Sequence, residues 1–173
     1  MALLIFFQIF IKGLKMSYIH YGDNKFDILK FARIKEREDG PWIKPTGGLW
    51  ASYIWNEHAL DDADDRDWRI DWKDWCLSND YKVDRLNKSF IFDLKPDAKI
   101  FEVDSMCDIR KLEKLGVYAS NNFWYYTKMT KLEELGYDGI RVWMSPDIYD
   151  ALYGWDCDSI LIFNPDCIIP QGA

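Results

Sequence analysis

The 173-residue sequence is short of the residues that build metal sites and disulfide scaffolds. It has two histidines, His20 and His58, and its four cysteines, at 76, 107, 157 and 167, form no C-x-x-C pair. A zinc site of ordinary spacing lacks ligands, and a domain of this length needs no disulfide framework. The thiols are therefore expected reduced and the protein cytoplasmic. No Ser/Gly/Pro-rich linker divides the chain, so a single domain is expected. P-loop, G-x-G-x-x-G and G-x-S-x-G signatures are missing, which removes the common phosphate cradles and the nucleophile elbow. No apolar run is long enough to span a bilayer. The run ALLIFFQIFI at 2–11 is ten residues, against about twenty for a spanning helix. Lys12 and Lys15 follow that run rather than precede it, unlike a secretory signal. Residues 1–15 read as an N-terminal extension: either an extended reading frame before a start at Met16, or a short interfacial or core-packing helix. Residues 16–173 read as the domain.

Aromatic residues are abundant, at 17% with nine tryptophans, and suit a dense core or an aromatic pocket. A hydrophobic content of 49% excludes disorder. The net charge of −7 disfavours loose, charge-driven binding to nucleic acid or an anionic membrane.

Strands and helices interleave without regular β-α-β alternation, which predicts an α+β fold. SYIHYG (17–22) reads as a strand ending in a turn, and 26–35 has weak helical spacing. GPWIKPTGG (40–48) is a loop from which LWAS (49–52) leaves as a strand. Five aspartates between 61 and 67 lack the spacing of a calcium loop and read as a solvated acidic segment beside a surface His58. Trp68, Trp72 and Trp75 line one face of a helix over 66–79, as core. KSFIFDLK (88–95) and AKIFEVD (98–104) read as a hairpin about Pro96-Asp97. Helices are expected at 107–116 and 122–135, each stopped by glycine, and at 145–154 with Ser145 as cap. Asp138-Gly139 reads as a tight turn. DSILIFNPD (158–166), apolar on both faces, is a central strand.

Three segments carry candidate chemistry: Tyr18-Ile19-His20-Tyr21-Gly22, Lys44-Pro45-Thr46-Gly47-Gly48-Leu49-Trp50-Ala51-Ser52, and Trp155-Asp156-Cys157-Asp158-Ser159-Ile160-Leu161. As an ordered set they resemble the ADP-ribosyltransferase superfamily, the group of the poly(ADP-ribose) polymerases and many bacterial toxins, in its diphtheria-toxin-like branch. The resemblance implies split antiparallel sheets with flanking helices, and NAD as ADP-ribose donor. It implies that His20 bonds the adenosine ribose and that the Gly22 backbone clamps the nicotinamide carboxamide. Trp50 stands where the family stacks Tyr or Phe on the cationic nicotinamide. Ser52 matches the serine motif of the arginine-led branch, and Lys44 is placed to meet the diphosphate. Asp158 aligns with the catalytic glutamate and Asp156 with the acidic position upstream, to stabilise an oxocarbenium-like state. Two departures stand out: Tyr21 separates His20 from Gly22, and Asp replaces Glu.

The implied activity is mono-ADP-ribosyl transfer to a macromolecular acceptor, protein or nucleic acid with the acidity favouring protein, in the manner of a toxin or a phage–host conflict factor. The alternatives are an NAD glycohydrolase or a non-catalytic binding module. His20, Trp50 and Asp158 are expected to meet at one cleft. Asp158 is expected to face the surface, so that its loss costs little stability.

Overall fold

The computed structural model describes residues 16–37, 44–54, 70–120, 125–152 and 154–172. The N-terminal extension, the acidic run at 61–67, His58, Trp68 and the first half of the 40–48 loop lie outside them. Nine strands are described: β1 Ser17–Tyr21, β2 Leu49–Tyr53, β3 Ser89–Leu94, β4 Ile100–Val103, β5 Tyr118–Ser120, β6 Tyr125–Thr127, β7 Gly139–Val142, β8 Ser159–Ile162 and β9 Ile168–Pro170. The helices are α1 Trp72–Ser78, α2 Met106–Lys114, α3 Met129–Glu134 and α4 Pro146–Tyr149.

Seven strands form one sheet in the order β4-β7-β8-β2-β1-β3-β9, while β5 and β6 pair apart. The architecture is α+β. The sheet is mixed rather than wholly antiparallel, because β4 runs parallel to β7. A parallel pair needs a long crossover, and α2, the β5–β6 hairpin and α3 supply it. The expected β3–β4 hairpin is therefore absent: β3 lies between β1 and β9.

Alternation sends side chains to two cores. Ile140, Val142 and Leu161 face Ile109, Leu112, Leu132 and Ile148 of the helices. Ile160 and Ile162 face the other way, in one cluster with Tyr18, Phe92 and Ile168. Strand β8 is thus buried on both faces and interior to the sheet, as its unbroken apolar run predicts.

Other local expectations are corrected. Residues 26–35 hold only a 3₁₀ turn at Ile28–Lys30. The 122–135 helix gives way to strand β6 before α3 begins at Met129. Helix α4 is one turn long, and the Ser145 side chain makes no cap bond. Asp138 is a clamp rather than a turn residue. Its carboxylate accepts from the Lys99 N–H and the Asn164 amide, each at 2.8 Å. Its carbonyl accepts from the Phe163 N–H at 2.7 Å. Among the described residues no helix is long and apolar enough to cross a membrane.

One seam matters for the site. Strands β1 and β3 share five registered pairs, whereas β1 and β2 share two, Tyr18–Tyr53 and Ile19–Ser52. Beyond Ile19 the two strands part, so β9-β3-β1 and β2-β8-β7-β4 meet along a short junction.

Candidate functional site

The three motif segments, far apart in sequence, lie on adjacent strands β8-β2-β1 at the middle of the sheet. Where β1 parts from β2, the His20 imidazole reaches across, its Nδ1 2.7 Å from the Trp50 carbonyl oxygen. A carbonyl only accepts, so Nδ1–H is the donor of this bond and Nε2 is left outside it. Nε2 lies 3.7 Å from Asp23 Oδ2. Gly22, at φ 120°, leaves the flank of Nε2 open: a Cβ there would stand 3.8 Å from it, in a conformation few L-residues adopt. The Gly22 N–H already donates to the Lys88 carbonyl at 2.7 Å. Of the donor and acceptor a carboxamide clamp requires, only the acceptor is uncommitted by that bond.

The register pairs Ile19 with Ser52, so Trp50 and Ser52 leave the sheet on the face opposite His20. His20 packs against Phe90 in one core, and Trp50 against Trp155, at 5.0 Å between centroids, in the other. The imidazole and the indole therefore meet only through the backbone of Trp50, not on one wall of a cleft.

Over the indole sits a cation. Lys44 Nζ is 5.6 Å from the Trp50 ring centroid and 2.9 Å from Asp156 Oδ2. Both charged side chains are about one-third exposed, at 29% and 33%. Asp156 precedes β8 on irregular backbone, so loop geometry rather than strand pleat sets its reach.

Asp158 behaves differently. It is 1% exposed, and its Oδ1 accepts the Met144 N–H at 2.6 Å. The expected surface-facing position is corrected: the carboxylate ties the start of β8 to the end of β7. Ser52, also 1% exposed, accepts the Trp72 N–H at 3.1 Å. The Ile70 carbonyl takes the Asp158 N–H at 3.0 Å. Residues 70–72 thus cross the β2 and β8 ends, and Asp71 caps α1 by accepting the Asp74 N–H at 2.8 Å.

These groups gather around Cys157. Burial pushes its thiol up to about 12, opposed by Lys44 and reinforced by Asp156, Asp158 and Asp71. A thiol so placed is not a nucleophile near neutral pH. Burial, then Asp71 and Asp74, also raise the Tyr21 hydroxyl. All four cysteines are free thiols. Among the described residues no group of three His, Cys, Asp or Glu is placed to hold a metal ion.

Sequence reasoning passed over Asp71, Arg85 and Lys88, and gave Trp155 of the third segment no role. Asp71 carried a signal, a helix N-cap followed three residues later by an acid. Arg85 and Lys88 line a hollow with His20 and Gly22, and no local pattern announces that. No family model, curated protein or solved structure matches the chain.

Proposed function

We propose that the protein is a mono-ADP-ribosyltransferase that uses NAD as donor, with Asp156 rather than Asp158 as the carboxylate that meets the reacting sugar. The observation that carries this reading is the Lys44–Asp156 pair over Trp50, beside the seam where the three motif strands adjoin. An indole face that holds an ammonium also suits the cationic nicotinamide ring. Donor binding then exchanges one cation for another and leaves the Asp156 carboxylate for the ribose. His20 supports the same reading, with Nε2 outside the Trp50 bond and able to hydrogen-bond a sugar hydroxyl, which both donates and accepts. A donor touching both residues wraps the open end of the seam near Gly22, because the two side chains lie on opposite faces.

In the reaction the C1′–N bond breaks and nicotinamide leaves with the bonding pair, becoming neutral. Asp156 stabilises the positive charge on the sugar. The acceptor's lone pair closes onto C1′ and its proton passes to Asp156 or water. Asp158 is a positioning residue, holding the strand from which residues 155–157 project. The acidic balance favours a protein acceptor.

Nicotinamide release from NAD tests the reading. Turnover that requires added cell lysate, with label transferred from NAD to a macromolecule, is expected. Turnover in buffer alone identifies a glycohydrolase. Saturable NAD binding without release in either condition identifies a binding module and overturns the catalytic assignment.

A further inference from the structure

We infer that the hollow at the end of β1 receives a phosphomonoester on the donor's ribose, so that the chain prefers the 2′-phosphorylated dinucleotide to NAD itself. This rests on the transferase reading above and adds to it a donor specificity carried by residues outside the three motifs.

The hollow measures about 450 Å³ and is lined by His20, Gly22, Asp23, Asp84, Arg85 and Lys88 among others. That lies within the size range of ligand sites, roughly 300–1,000 Å³. A second hollow of about 230 Å³ adjoins it, sharing Gly22, Asp23 and Lys88 and adding Lys25, Lys30 and Asp27. In a chain of net charge −7, these walls carry more cations than carboxylates. Two of the carboxylates are engaged: Asp23 faces Lys30 at 3.8 Å, and Asp27 accepts the Leu29 N–H at 3.0 Å. Arg85 and Lys88 have no ion-pair partner among the described residues. The two hollows together therefore present three cations without an ion-pair partner among the described residues, Lys25, Arg85 and Lys88, against one unengaged carboxylate, Asp84, while Asp23 lies between Lys30 and His20.

The backbone adds a second sign. Asp80 and Lys82, at φ 49° and 47°, are the only non-glycine residues in the left-handed region among those described. Each such conformation is sparsely populated by L-residues. Together they shape the turn that delivers Arg85 from the 3₁₀ segment Val83–Arg85. The Gly22 N–H bond to the Lys88 carbonyl pins Lys88 to the same rim.

The chemistry selects the ligand. The Asp23 carboxylate, 3.7 Å from His20 Nε2, accepts from a hydroxyl and repels an anion, so the sugar edge belongs on the histidine side. A phosphate belongs beside Arg85 and Lys88. With His20 on the adenosine ribose, the cations sit next to that ribose's own substituents. A monoester carries about −1.5 to −2 charge and three acceptor oxygens, which match a guanidinium fork plus an ammonium. Arginine beside the ribose is a general solution for a 2′-phosphate.

Titration calorimetry on the full chain, with ADP-ribose and 2′-phospho-ADP-ribose as probes, tests this. The phosphorylated probe is expected to bind about tenfold tighter or better, with an advantage that shrinks in salt. The double variant Arg85→Ala/Lys88→Ala should bring the two affinities together while ADP-ribose affinity stays within about twofold. Both side chains are exposed, so an unchanged melting temperature verifies the variant's fold. Equal affinity for the two probes overturns the specificity and leaves the transferase reading standing. A preference that survives the double variant places the phosphate elsewhere and also overturns it. Binding of neither probe overturns both.

Discussion

Replacing Asp158 with alanine tests whether this carboxylate holds the fold, as its burial and hydrogen bond indicate, while the proposed chemistry rests on Asp156. The side chain is 1% exposed and accepts the Met144 N–H at 2.6 Å. Alanine strands that buried donor and opens a small void. A hydrogen bond to a charged group is worth about 1.5–3 kcal/mol, and an unsatisfied buried donor costs about the same, so the expected loss is about 2–3 kcal/mol. For a domain of this size 1 kcal/mol shifts the melting temperature by about 2–4 °C. Thermal unfolding followed by circular dichroism should therefore move down by roughly 4–12 °C. Asp158→Asn keeps the acceptor oxygen and should recover most of the loss. Asp156→Ala should do the reverse. Its Lys44 ion pair is one-third exposed and contributes about 0–1 kcal/mol, so stability should hold while nicotinamide release falls by about 100-fold or more. An Asp158→Ala protein that melts like the parent yet loses all release would refute the assignment. It would return Asp158 to the catalytic position.

Four further outcomes follow from the same structure. Gly48 sits at φ 66°, and a Cβ there would stand 2.5 Å from Leu161 Cδ1 and 2.8 Å from the Ile162 carbonyl. Gly48→Ala should cost about 2–4 kcal/mol in urea unfolding, and an unchanged midpoint contradicts the close approach of that loop to β8. Among the cysteines only Cys107 is exposed, while burial raises the Cys157 and Cys167 thiols to about 12. Ellman's reagent should find one fast thiol in the native protein and four after unfolding, and a second fast thiol in the native state counts against the packing. Burial pushes the Asp108 carboxyl up, but bonds from Lys111, Ser105 and Asp104 outweigh it and hold the group well below its usual value. A lowered carboxyl stabilises above its unfolded pKa and loses that contribution on acidification, so Asp108→Asn should flatten the fall in stability below about pH 4. A parallel fall in both proteins refutes it. Burial chiefly raises the Tyr18 hydroxyl to about 12, against the pull of Arg141, to which it is bonded at 2.6 Å. Tyr18→Phe should cost about 1–3 kcal/mol by removing that partner of a buried guanidinium, measured by urea unfolding.

Local signals carried far in some places. Glycine stops at 116 and 136 end α2 and α3 with the same pair of reversed bonds, Gly116 N–H to Glu113 and Val117 N–H to Leu112, then Gly136 N–H to Glu133 and Tyr137 N–H to Leu132. The unbroken apolar run of β8 announced an interior strand. Elsewhere local pattern misled. Residues 88–104 have the sequence of a hairpin, but β4 takes β7 as its neighbour because Phe101 and Val103 share the helix-covered core with Ile140 and Val142. The stretch before α3, expected as part of a helix over 122–135, instead pairs with β5 as β6.

The candidate site divides the same way. Its residue types, an indole after two glycines, a histidine at a strand end and two aspartates flanking a cysteine, were all open to reading from the chain alone, as was the α+β class. Alternation alone cannot say which of two carboxylates two residues apart is buried and which is part-exposed. That depended on Met144 and Ile70 arriving from other elements to take up the polar groups of Asp158, while Lys44 arrived to meet Asp156. Burial and electrostatic partnership are properties of contacts between distant segments. Only the packed sheet decided which acid is a buried tie and which forms a part-exposed ion pair.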